Sequence, residues 1–132
     1  MAQRITVLKT SVPDSPGSLA KLLTAAANFG LDFLCMCAAG GRGGQGEIYV
    51  SPRDVAKTRS LASSQGVALE EYAGFLIEGE DKPGAGAQAL RPLGQAGVNI
   101  VTCAALAKDR KFQLLVVVKA ADGDKAAEAL GA

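Results

Sequence analysis

The sequence predicts an α/β chain made of two βαββαβ modules, each an antiparallel sheet backed by helices. Three observations carry that expectation. Short segments of strand and helix periodicity alternate along the whole chain of 132 residues. Two turn motifs recur at one common offset: Asp14-Ser15-Pro16-Gly17 returns as Asp81-Lys82-Pro83-Gly84, and Gly30-Leu31-Asp32-Phe33 as Gly97-Val98-Asn99-Ile100. At the same offset Ala20 falls on Ala87, Leu23 on Leu90, Ala38 on Ala105 and Val50 on Val117, so the apolar pattern repeats along with the motifs. The expected modules are residues 1–72 and 73–132, the second lacking a last strand of its own.

The first module reads in order. Ile5 to Lys9 alternates as a half-buried strand. Asp14-Ser-Pro-Gly is turn chemistry, with proline fixing φ and glycine free to turn left-handed. A helix from about Ser18 carries Leu19, Leu22, Leu23 and Ala26 on one face and ends at Gly30. Leu31 to Ala38 is a second strand, Ala39 to Gly46 a glycine-heavy hairpin loop, and Glu47 to Val50 a third strand. Ser51 as N-cap with Pro52 at the first helical position would open a second helix that stops near Gly66. Val67 to Tyr72 makes a fourth strand.

The second module repeats the plan: a strand Gly74 to Glu80, the Asp81–Gly84 turn, a helix to about Gly97, strands Val98 to Ala107 and Phe112 to Lys119, and a last helix from about Asp124 to Leu130. Lys108-Asp109-Arg110-Lys111 is the solvated turn between its strands. Pro92 falls inside the predicted helix, where it should kink or shorten it. Only Gly74 interrupts Val67 to Glu80, so the two sheets are expected to share or exchange edges, and a homodimer to cover an open one.

Composition narrows the function. Hydrophobic residues make up 48% of the chain but aromatics only 5%, and the net charge is +1. No field draws such a chain to nucleic acid or to an anionic membrane. The longest apolar run, near Leu114 to Val118, is too short to span a bilayer, and the N-terminus has no signal-peptide core, so a cytoplasmic protein is expected. There is no histidine, which removes the usual general base at neutral pH, and the three cysteines, Cys35, Cys37 and Cys103, are read as small buried hydrophobes, with no metal or cofactor expected. Catalytic residues are not expected, and the chain is not read as an enzyme. The Gly40–Gly46 run lacks the Gly-Lys-Ser/Thr ending of a phosphate loop and lies between strands. The first and third strands lack the paired aromatics of an RNA-recognition surface.

The element order is the split-βαβ, ferredoxin-like plan, which hosts many activities. A strand, Asp-x-Pro-Gly, and a helix closed by Gly-hydrophobe-Asn/Asp-hydrophobe resemble the ACT domain family, most closely at Glu80–Gly84 with Gly97–Ile100. Tyr49–Asp54 and Val118–Asp122 resemble the weaker second half of the pattern. The resemblance spans nearly the whole chain and implies a tandem, non-catalytic regulatory module. It also implies modules pairing side by side, with a free amino acid held at an ACT–ACT interface by the loop after the first strand and the start of the second. Carried onto this sequence, the ligand-binding residues are Asp81, Lys82, Pro83, Gly84 and Ala85 with Asn99, Ile100 and Val101, and Asp14, Ser15, Pro16, Gly17 and Ser18 with Asp32 and Phe33.

Physical chemistry points the same way. A Pro-Gly turn feeding a helix offers backbone N–H groups and the positive end of the helix dipole to a ligand carboxylate. Asparagine supplies both donor and acceptor for a zwitterion. Asp32 replaces that asparagine in the first module, which gives up donors and adds negative charge. The leading expectation is an allosteric amino-acid sensor acting through a partner protein or through its own oligomer. The alternative is a ligand-free dimerisation or protein-interaction module of the same fold.

Overall fold

The computed structural model describes residues 1–132, the side chain of Arg42 excepted. The chain order is β1 (Ala2–Pro13), α1 (Ser18–Asn28), β2 (Phe33–Gly40), β3 (Gln45–Pro52), α2 (Val55–Ser64), β4 (Glu70–Glu80), α3 (Ala85–Gln95), β5 (Thr102–Lys108), β6 (Lys111–Lys119) and α4 (Gly123–Leu130). The mixed α/β architecture is therefore as expected, with strand order β2-β3-β1-β4-β6-β5. The chain forms two compact units, Val7–Glu71, and Met1–Thr6 with Tyr72–Ala132. The first six residues thus group with the second half of the chain.

In the unit Val7–Glu71, β3 runs antiparallel to both β1 and β2, with Leu8 opposite Val50 and Met36 opposite Val50 from the other side. Leu8, Ile48 and Val50 form its buried centre, with Leu19, Leu22, Phe33, Val55 and Leu69 packed against them. Gly17 enters α1 at φ 84°, a left-handed conformation that glycine adopts without a Cβ penalty. The β2–β3 hairpin is tighter than expected, because Gly40 pairs with Gly46 and a short 3-10 turn fills the space between. A Cβ on Gly41 would stand 2.1 Å from the carbonyl oxygen of Gln45, so the turn closes only around glycine.

The start of α2 corrects the sequence reading. Ser51 and Pro52 do not cap a helix; they continue β3 opposite Cys35 and Phe33. Asp54 is the N-cap, and its carboxylate accepts the Lys57 backbone N–H at 2.9 Å. Proline at the last residue of a strand loses little ladder bonding, so pairing outweighed the Ser-Pro helix signal.

In the other unit β4 pairs with β6 and β6 with β5, all antiparallel. The Glu78 N–H donates to the Met1 carbonyl at 3.1 Å and β1 lies beside β4, so the N-terminal residues add a fourth strand to this unit's β4, β6 and β5. The two strands expected on either side of Gly74 are one continuous strand, β4. Phe75, Leu93, Val98, Leu114, Val116, Val118 and Ala126 make a buried core between sheet and helices. Pro92 does not shorten its helix, since α3 and α1 both have 11 residues. It sits in the last turn, where one backbone bond is lost and the closing bond from the Ala96 N–H to the Pro92 carbonyl, 3.0 Å, still forms. Asp109 and Arg110 both take positive φ, 54° and 64°, and make a two-residue hairpin turn.

The repeat is not in phase to its end. Ala38 lies opposite Ile48, whereas Ala105 lies opposite Leu114, so the first hairpin is one residue longer. Val50 therefore corresponds by face to Val116, which joins its unit's core, and not to Val117. The cysteines also depart from expectation: Cys35 and Cys37 are only partly buried, and Cys103 is exposed. Cys103 lies on β5, where every residue after Thr102 is exposed.

Candidate functional site

Each Asp-x-Pro-Gly turn borders a cleft. In the unit Val7–Glu71, Pro13, Asp14, Ser15, Ser18 and Leu19 face the hairpin residues Ala38–Gly40 and Gly46–Ile48 across about 190 Å³. In the other unit, Lys82 and Ala85 join Ile77–Glu80, Gln88, Ala89 and Phe112 around about 240 Å³. The two clefts occupy corresponding places, which is how a duplicated turn would place them.

The first cleft is mainly apolar in its lining, with Asp14, Ser15 and Ser18 supplying polar side chains. The Asp14 carboxylate lies against Gly40, where an added Cβ would meet Oδ2 at 3.1 Å. Ser15 and Ser18 share a hydroxyl–hydroxyl hydrogen bond of 2.7 Å. Glu47 pairs with Lys9 Nζ at 3.3 Å on the sheet face it shares with Tyr49, away from the Ile48 face that lines the cleft. The Ser18 N–H is bonded to the Ser15 carbonyl at 3.2 Å, and the Ala85 N–H to the Lys82 carbonyl at 3.1 Å. One amide of each helix start is thus spent inside its own turn. Carboxylates and hydroxyls suit an ammonium or another donor better than an anion.

The other predicted residues lie elsewhere. Pro13 is opposite Gln45 and Phe33 opposite Pro52, seven residues apart along β3, or about 24 Å at strand rise. Glu80 is opposite Lys111 and Thr102 opposite Val117, six residues apart along β6, or about 20 Å. Because β1 and β2 both run antiparallel to β3, the strand after the helix starts at the end of the sheet remote from the turn. Within one module, then, Asp14–Ser18 and Asp32–Phe33 do not meet, nor do Asp81–Ala85 and Asn99–Val101.

At that remote end the two units differ. Asp32 accepts from Arg53 Nε at 2.8 Å through Oδ2 and from the Phe33 N–H at 2.9 Å through Oδ1. Its charge is held by a neighbour that the sequence reading did not single out. Asn99 is exposed just ahead of β5, while Ile100 packs on the core and the Val101 N–H donates to the Val117 carbonyl at 2.8 Å.

Cys35 and Tyr49 titrate away from their ordinary values. Burial pushes the Cys35 thiol upward, against the lowering effect of a backbone hydrogen bond at Ser51. Burial also raises the Tyr49 hydroxyl, against the lowering effect of the Lys9 charge. Neither lines a cleft. Among the described residues no group of three or more His, Cys, Asp and Glu is placed to hold a metal ion, and no helix is long and apolar enough to cross a membrane.

No family model matches this chain, and no curated protein matches it in sequence. Solved structures do match the fold. Protein BT0572 from Bacteroides thetaiotaomicron has a TM-score of 0.79 at 20% identity, covering 98% of this chain and 88% of its own. The ligand-free regulatory subunit of aspartate kinase from Thermus thermophilus has a TM-score of 0.64 at 15% identity, covering 99% and 93%. The corresponding subunit from Thermus flavus has a TM-score of 0.62 at 19% identity, covering 99% and 94%. The chain's fold is thus that of ACT-like, ferredoxin-type modules.

Proposed function

We propose that this chain is a non-catalytic regulatory module that binds a free amino acid where two ACT-like modules pair. The observation that carries the reading is the separation of the two site segments. The Asp-x-Pro-Gly turn and the start of the next strand stand at opposite ends of the strands in each unit. A site that uses both must therefore take the turn from one module and the strand start from another running the opposite way. Such pairing sets Asp81–Ala85 or Asp14–Ser18 against Asn99–Val101 or Asp32–Phe33 of a neighbouring module, and a homodimer supplies the neighbours. The aspartate kinase regulatory subunits of like fold support a regulatory role. Output then runs through a partner protein or a change of oligomer, by differential binding to two states.

The test is a thermal-shift panel of the twenty amino acids at millimolar concentration. A ligand at about one hundredfold its dissociation constant adds about 2.7 kcal/mol, which moves the midpoint of a domain this small by many degrees. A rise with one amino acid or a few related ones, lost in Asn99→Ala, is the expected result. A flat panel from folded protein overturns it.

The second reading is a dimerisation module whose site has lapsed. The Asp32–Arg53 pair favours it for the first module, because the carboxylate is already engaged within its own unit.

A further inference from the structure

We propose that the unit Val7–Glu71 contains a second binding site, separate from the turn clefts, for a compact uncharged hydrocarbon-like molecule the size of a fused two-ring aromatic. A cavity of about 300 Å³ lies between α1, α2 and the sheet, walled by Leu22, Leu23 and Ala26, by Leu61, and by Ile48 and Val50. No charged side chain lines it among the described residues, and its polar lining is limited to Thr10, Thr58 and Gln65. The Thr58 hydroxyl already donates to the Asp54 carbonyl at 2.8 Å.

Compared with the helix of the other half, α1 is bulkier at two core-facing positions, Leu19 for Gly86 and Leu22 for Ala89, and smaller at one. At the repeat offset Ala26 corresponds to Leu93, which is 0% exposed and fills the core of the other unit. In the first module an alanine stands there, and no α1 residue is fully buried. Thr58 is the one buried residue of α2 among those described. The same fold is packed tightly in one half and left open in the other.

Volume and lining select the occupant. Small-ligand sites begin at about 300 Å³ and are mostly apolar with a few polar groups. This cleft is half open, with Phe29, Gln65 and Val67 exposed on its rim, and its inner wall suits the faces of two fused rings. With no charged side chain in the lining, an ammonium or carboxylate finds no partner there. The site therefore takes a different chemical class from the one proposed for the turns.

Indole is the probe, titrated into the full chain and followed by methyl NMR. Saturable shifts confined to Leu22, Leu23, Val50 and Leu61 are expected. Ala26→Leu, which installs the residue of the other module, should weaken indole binding at least tenfold without lowering the thermal midpoint. Should Ala26→Leu fail to fold, Ala62→Leu blocks the same space from α2. The proposal is overturned if wild-type shifts do not saturate, if they map to Tyr72–Ala132, or if a folded blocking variant binds indole unchanged. Indole carries no ammonium or carboxylate, so its result is independent of the amino-acid panel.

Discussion

Arg53 is clamped to Asp32 twice: its Nε lies 2.8 Å from Oδ2, and its backbone N–H donates to the Asp32 carbonyl at 2.9 Å. The pair joins the residue before β2 to the one following β3, and it removes the free carboxylate that a lapsed or altered site would otherwise present. Both side chains are more than half exposed, so the ion pair itself contributes little. Asp32→Asn should lower stability by less than about 1 kcal/mol in urea unfolding. Asp32→Ala should cost about 1 kcal/mol more, since the Phe33 N–H also loses its acceptor.

The Gly41 turn gives a sharper effect. Gly41→Ala places a methyl 2.1 Å from a backbone oxygen, so the hairpin itself must open. A loss of about 2–3 kcal/mol is expected, of the size that overpacking produces. Gly94→Ala is the contrasting case, because nothing lies within 4 Å of the added Cβ and the site is helical. It should gain about 0.5–1 kcal/mol. Equal effects from the two substitutions would refute the geometry of the hairpin.

At the β5–β6 turn, Asp109 and Arg110 carry left-handed backbones without glycine. Arg110→Gly should raise stability by about 0.5–1 kcal/mol, since Asp-Gly is the preferred pair for such a turn. The Asp81 N–H bond to the residue 110 carbonyl, 3.0 Å, uses backbone only and survives the change. Chemical unfolding of the two proteins side by side measures it.

Cys35 and Tyr49 together predict an alkaline limb. Both have folded-state values raised above their ordinary 9.0 and 10.0. The folded protein holds these protons more tightly than the unfolded chain. Their contribution is therefore complete below pH about 9 and is lost as pH rises through the folded values. Cys35→Ala should flatten the first part of that decline in unfolding measured from pH 8 to 10.5.

Reactivity separates the thiols at neutral pH. Exposed Cys103 should be alkylated by iodoacetamide well before Cys35, whose thiol is partly buried and raised. Peptide mapping after a short pulse reads the order, and equal labelling would contradict the placement of Cys35.

Much of this fold was legible because the turns carry their own chemistry. Gly17 and Gly84, at φ 84° and 86°, do what Pro-Gly in that context implies, and Gly30 and Gly97 close helices at φ 73°. Ser51-Pro52 misled because a local helix-start signal competed with pairing to Cys35 and Phe33, residues remote in sequence. The extra hairpin residue is invisible until strands are paired, and it moves Val117 off the core face that Val116 occupies. For the site, the motifs located the clefts through Asp14 and Lys82, but Ile48 and Phe112 enter only through the hairpins. Arg53, twenty-one residues from Asp32, had no pattern to announce it. The distance between turn and strand start follows from the parallel run of β1 and β2, a property of topology and not of any residue type.

The way β1 is divided sets a timetable for the growing chain. Every residue of the Val7–Glu71 unit exists once Glu71 has been made, including Leu8 and Val50, which pair across 42 positions. The other unit must recruit Arg4 to Asp124 across 120 positions, so its earliest-made residues wait for its last. Closure over such a span is slow relative to local pairing. On a ribosome the Val7–Glu71 unit can therefore be complete while the other unit still lacks β5, β6 and α4.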